Sequence, residues 1–168
     1  MTTRNERLVQ WLSDAHSMEK EAETMLKAQS SRIENYPDLR QRIERHVEET
    51  QDQARRLEAC IERLGGSRSA VKDTFASMMA TMHAAGTSMM SDEVVKGSGL
   101  SYAFEHLEIA TYRSLVVAAR AAGDEQTAQV CEGILAEEEA MADWLAQHLE
   151  QTTLAFLQRD EADVQAKR

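Results

Sequence analysis

A single proline, Pro37, stands in a chain of 168 residues, and on both sides of it apolar residues recur three and four positions apart. That period is the mark of helices that each bury one stripe; strands, with a period of two, do not produce it. Few turn formers and an abundance of Ala, Leu, Glu, Gln, Arg and Met point the same way, because these residues lose little on entering a helix. An all-α chain is expected, long enough for one domain with a sizeable core.

Turn signals divide the chain. The first predicted helix runs over about residues 5–33 and ends at Asn35-Tyr36-Pro37. The second covers about 38–64, with Asp38 as its cap, and stops at Gly65-Gly66. A long crossover, 65–99, holds a short helix within DTFASMMATMHAA and a second short piece around Asp92 to Lys96, broken by Gly97 and Gly99. A third long helix spans about 100–122, Gly123-Asp124 turn and cap, and a fourth spans about 125–156, followed by a fraying tail, 157–168. Two long hairpins joined by one long crossover are the connectivity of a ferritin-like four-helix bundle. Residues 1–168 are therefore expected to form a single ferritin-like domain, although the crossover alone does not separate this from other all-helical folds.

The formal charge of −10 argues against nucleic acid as a partner, since no basic stripe offsets phosphate repulsion. It suits solubility, and it suits attraction of cations. No stretch approaches the length of a membrane span and the N-terminal MTTRNERLVQWL carries no apolar signal segment, so a cytoplasmic protein with no membrane partner is expected. Cys60 and Cys131 lack CxxC spacing and read as buried free thiols. Met78, Met79, Met82, Met89 and Met90 in the crossover read as flexible core packing rather than soft-metal ligands.

The stretch ILAEEEAMADWL sets three glutamates inside an apolar helix. At about 100° per residue, Glu138 falls within about 20° of the centre of the stripe formed by Cys131, Ile134, Leu135, Ala142, Leu145, Leu149 and Phe156. Glu137 and Glu139 flank it and can reach solvent. In the third helix Glu108 lies at the centre of Phe104, Tyr112, Leu115, Ala119 and Ala122, with Glu105 one turn earlier. In the first, Glu19 centres the stripe of Leu8, Leu12, Ala15, Ala22, Leu26 and Ile33, with His16 one turn earlier. The second helix carries His46, Thr50 and Gln53 at its stripe centre and Glu49 at the edge, with Asp52 facing out. Glu19 and Glu49 are as far apart as Glu108 and Glu138, which puts the acidic residues at one level if the two turns match.

A lone buried carboxylate costs several kcal/mol or more unless it protonates, pairs or binds metal. A pair of divalent ions, iron or manganese by the oxygen-rich donor set, answers the problem. Shared protons, cross-bundle arginines or a wet channel answer it too. Tyr112 can donate a hydrogen bond toward the carboxylates or simply pack with its hydroxyl satisfied.

Around these residues the chain resembles the YciE/YciF group of ferritin-like proteins, through LSDAHSMEKEAETML, HVEETQDQARRLEACIERLGG, AFEHLEIATYRSLVVAARAAGDEQTA and the closing AEEEAMADWL. The resemblance implies a bacterial bundle with a stress-response association, a homodimer and a di-iron centre with Glu19, Glu49, Glu108 and Glu138 as ligands and Glu105 as an accessory one. Two departures stand out. Ferritin-like sites carry Glu-x-x-His on two helices, whereas Met141 follows Glu138 and Asp52 follows Glu49. Relatives often have His where this chain has Gln53, which binds metal only weakly through its carbonyl; His46 is placed to compensate. The expected function is a metal-binding protein with an iron or manganese centre in the stress response, whose chemistry, if it is an enzyme, is oxidation of Fe(II) or reduction of peroxide; the alternative is a non-catalytic dimeric helical stress protein with a degenerate site. Nothing in the sequence requires assembly into an iron-storage shell.

Overall fold

Thr3 opens the first helix, α1 (Arg4–Arg32), with a reciprocal capping box: its hydroxyl accepts from the Glu6 amide at 3.2 Å and its own amide donates to Glu6 Oε2 at 2.7 Å. The second helix, α2 (Pro37–Arg63), starts one residue earlier than the sequence suggests. Pro37, whose ring already holds a helical φ, takes the first turn, Tyr36 stands at the cap without a side-chain bond, and Asp38 lies in the first turn instead of capping. Gly65 ends α2 at φ +77°, a left-handed value that suits glycine. The computed structural model describes residues 1–66 and 90–166; the short helix expected within 73–85 and Met78, Met79, Met82 and Met89 lie outside them.

The third described helix, α3 (Glu93–Ala121), corrects the expected boundary. Asp92 to Lys96 is not a separate piece, because α3 runs straight through Gly97 and Gly99. Each glycine costs about 1 kcal/mol in a helix interior, and tertiary contacts offset it. Arg32 pairs with Glu93 at 2.5 Å, the Ser101 hydroxyl donates to Gln29 at 3.0 Å, and Val94 is buried in the core. Gly123 turns at φ +79°, and Asp124 caps α4 (Glu125–Glu161) by accepting from the Thr127 amide at 3.2 Å. The fourth helix outruns its expected end, and the tail does not fray as far as residue 166. Asn35 donates to the Gln165 carbonyl at 3.3 Å, Arg159 to the same carbonyl at 2.6 Å, and Tyr36 to that of Ala166 at 2.5 Å. The two bonds from Asn35 and Tyr36 span 130 residues and carry no local sequence signal.

The helices form an all-α bundle of two hairpins, α1 against α2 and α3 against α4, closed by α1 on α3 and α2 on α4. Its core is in two parts. One apolar cluster gathers Leu8, Leu12, Leu57, Ile61, Tyr112, Leu115, Cys131 and Ile134; the other gathers Leu26, Ile33, Leu39, Ile43, Val94, Met141 and Leu145. On α4 Glu138 lies between the two, after Ile134 and before Met141; on α1 and α3 the buried glutamates interrupt the first cluster, Glu19 between Met18 and Ala22, Glu105 and Glu108 between Phe104 and Tyr112. Both cysteines are buried free thiols, and among the described residues no helix is long and apolar enough to cross a membrane.

The two glycine environments give opposite expectations. A Cβ on Gly66 would come within 2.6 Å of Val9 Cγ1 and 2.9 Å of Ile61 Cγ2, whereas one on Gly99 meets nothing within 4 Å. Gly66→Ala should cost about 1–3 kcal/mol, and Gly99→Ala should add about 0.5–1 kcal/mol. Urea midpoints of the two variants check this; a neutral or destabilising Gly99→Ala would contradict a continuous α3.

Candidate metal centre

The polar layer takes one or more side chains from each helix: Glu19 from α1, His46, Thr50 and Gln53 from α2, Glu105 and Glu108 from α3, Glu138 from α4. None is more than 1% exposed, so solvent cannot compensate their charges. The apolar positions one turn to either side anchor each helix in phase, and the carboxylates follow inward.

His46, Glu105, Glu108 and Glu138 offer ligand atoms that all lie within 4.8 Å of one another. His46 Nε2 lies 3.2 Å from Glu105 Oε2 and 3.3 Å from Glu138 Oε2, near enough for charge attraction but without an aligned hydrogen bond. On the other side of the ring, Nδ1 lies 2.8 Å from Glu49 Oε2. Glu49 is held below the usual carboxylate range: burial pulls it up, but the hydrogen bond from His46 and the Arg42 charge outweigh that. A carboxylate only accepts, so Nδ1 carries the hydrogen and Nε2 faces the other glutamates. This carboxylate–histidine pairing is the arrangement that orients metal-binding imidazoles.

Burial and mutual repulsion dominate the electrostatics. Burial, then the neighbouring Glu19, Glu138 and Glu105 charges, pushes Glu108 well above its ordinary 4.5. Burial and the Glu138 charge do the same for Glu19, against the pull of the Tyr112 hydrogen bond and His46. Glu105 is raised by burial to about 7, with the His46 charge opposing. Burial would lower His46, yet the Glu105 charge and the surrounding acceptors hold it well above 6.5. Tyr112 donates to Glu19 Oε1 and is itself raised well above 10.0 by burial and by that carboxylate.

Even so, Glu19 Oε2, His46 Nε2, Gln53 Oε1, Glu105 Oε2, Glu108 Oε1 and Glu138 Oε2 are buried without a hydrogen-bond partner. Buried polar atoms are nearly always bonded, so a run of orphans in one layer calls for a missing partner. Three carboxylates and an imidazole are a donor set that fits iron or manganese. The residues present therefore fit a divalent ion.

The other expected site residues sit around this group. Glu19 shares the layer and is tied to Tyr112. Gln53 turns its amide nitrogen, not its carbonyl, toward the acids, donating to Glu138 Oε1 and at 2.9 Å to Glu137 Oε2. Glu49 is not in the cluster: its side chain is 29% exposed, at the edge of the α2 stripe, and it accepts from Arg42 at 3.1 Å. Met141 packs in the second apolar cluster and offers no ligand. His16 is half-buried and outside the group. Sequence reading missed two rim arginines, Arg42 on Glu49 and Arg56 on Glu137. Arg42 could have been found two turns before Glu49 on the same face; Arg56 reaches another helix, which no local spacing reveals.

A pH dependence follows for protein held in chelator. Glu19, Glu105 and Glu108 have folded pKa values raised above their unfolded ones, so the folded state binds protons more tightly. Their contribution is fullest below the unfolded value and is lost as pH rises through the folded one. His46 is also raised and has the same sign; Glu49 is lowered, so its contribution is already complete above its unfolded value. Metal-free protein should therefore melt higher at about pH 5.5 than at about pH 8. In the same buffer at neutral pH, Glu108→Gln should melt at or above wild type, whereas His46→Gln should cost about 3–5 kcal/mol by stranding the acids. A flat profile with no penalty for His46→Gln would refute the charge assignment.

The family model described as "Domain of unknown function (DUF892)" matches residues 3–158. A protein from Xanthomonas campestris pv. campestris, XCC3681, is 52% identical, with 95% of this chain and 99% of that chain covered and a TM-score of 0.81. The Escherichia coli stress protein YciF shares the fold at 23% identity, TM-score 0.79, covering 89% and 96% of the two chains. YcfI from Rhodopseudomonas palustris, a candidate structural protein, is 26% identical with a TM-score of 0.75 over 86% and 93%. With a family match spanning nearly all its length and the fold of YciF, the chain belongs to the DUF892 family.

Proposed function

We propose that this chain is a ferritin-like metal-binding protein acting in a bacterial stress response, with His46, Glu105, Glu108 and Glu138 as ligands of iron or manganese. The layer of buried, unbonded acceptors carries this reading. Glu19 Oε2, also orphaned in this layer, is the donor left for a second ion. When bound, such ions supply the redox chemistry, oxidation of Fe(II) or reduction of peroxide. The protein's share is positional. Glu49 fixes the imidazole, Gln53 holds Glu138, Tyr112 holds Glu19, and the flanking apolar clusters keep bulk water out. The relative YciF is described as a stress protein, which supports the cellular role. A second copy of the chain is the proposed partner, supported by Leu154, Leu157 and Val164, which are about half exposed near the end of the chain.

A second reading, a non-catalytic dimeric stress protein with a degenerate centre, is favoured by Met141 packing as core and Gln53 presenting its amide nitrogen. Metal analysis of protein purified without chelator, then anaerobic Fe(II) titration, separates the two. About two equivalents per chain are expected, with uptake lost in Glu138→Gln and kept in Glu139→Gln, whose parent carboxylate pairs with Arg113 at the surface. Background metal and no saturable uptake would establish the degenerate reading.

A further inference from the structure

A groove of about 310 Å³ lies between α1 and α3, lined by Trp11, Asp14, Ala15, Met18, Thr111, Ser114 and Leu115. That is the lower end of the size range of small-molecule sites. Its floor is apolar, since Ala15, Met18 and Leu115 are buried, and Trp11 stands 41% exposed at its side.

The polar lining has one character. Asp14 makes no hydrogen bond or ion pair among the described residues, and partial burial raises its carboxyl from 3.8 with no cation to oppose it. The Thr111 hydroxyl spends its hydrogen on the Leu107 carbonyl at 2.9 Å and the Ser114 hydroxyl on that of Ala110 at 3.0 Å. Each hydroxyl then has only oxygen lone pairs left to offer. Among the described lining residues the indole N–H of Trp11 is the sole side-chain donor left, and none is Lys, Arg or His.

We infer that this groove binds a small primary amine in its ammonium form, carried on an apolar alkyl or arylalkyl body. An ammonium has three donors and no acceptor, the complement of a carboxylate and two spent hydroxyls. Asp14 takes the charge, the indole face adds cation–π attraction, and the apolar body covers Met18 and Leu115. An anion is repelled by Asp14, and a neutral alcohol leaves that carboxylate without a charged partner. The chain's net charge of −10 draws cations toward the surface.

The test is calorimetric titration with 2-phenylethylammonium, 2-phenylethanol and phenylacetate, on protein held in chelator so that the outcome is independent of the metal reading. The ammonium should bind saturably at one site, the alcohol about tenfold or more weaker, and phenylacetate not at all. Asp14→Asn should lose the same factor while melting with wild type, because Asp14 makes no pair among the described residues. Trp11→Ala should weaken binding and leave the preference for the cation. Equal affinity for amine and alcohol, or an unaffected Asp14→Asn, would overturn the assignment. So would sedimentation showing that self-association through this groove excludes the amine, which would give the surface to a second copy of the chain.

Discussion

His46 and the carboxylates around it are the interaction on which this bundle turns. A histidine that is fully buried stands 3.2 and 3.3 Å from two equally buried glutamates. Around it the acids outnumber the cations, with Glu19 and Glu108 adding further negative charge in the same layer. In a low-dielectric interior such an imbalance costs several kcal/mol unless protons or a metal ion correct it. The layer thus sets up a demand for positive charge in the middle of the core, and the rest of the molecule is arranged to sustain it.

That arrangement explains why the apolar core is split. Leu8 to Ala22 on α1 pack with Leu57 to Ile61 on α2 and with the C-terminal half of α3, while Leu26 and Ile33 pack with Ile43, Val94 and Met141 at the opposite end. Apolar residues on either side of the polar layer hold the four helices in phase and deny it water. Polar side chains in that layer and at its rim are fixed by their own partners: Glu19 by Tyr112 inside, Glu49 by Arg42 and Glu137 by Arg56 and Gln53 at the edge. The outer bonds place charge-assisted contacts at the rim, where they cost less than inside. The inner atoms are left open.

Much of this was legible beforehand. A carboxylate at the centre of a helical stripe is buried whatever the partner helix does, so Glu19, Glu108 and Glu138 were found from phase alone, and Glu105 and His46 from sharing their stripes. What was not legible depends on register between helices or on competition between local and tertiary terms. Gly97 and Gly99 look like breakers in isolation, but the Arg32–Glu93 pair and the burial of Val94 carry α3 through them. By its place on the stripe Gln53 offers a weak carbonyl ligand; in the structure its amide nitrogen faces Glu138, which only the position of α4 decides. The docking of the tail onto Asn35 and Tyr36 spans almost the whole chain and leaves no trace in spacing.

The central claim is that the buried acids are balanced by a divalent ion. Anomalous diffraction at the iron edge, from crystals grown anaerobically with Fe(II), tests it most directly. The account predicts a strong peak enclosed by His46 Nε2 and the carboxylates of Glu105, Glu108 and Glu138. No peak at that position, with those acids instead bonded to one another through shared protons, would contradict it.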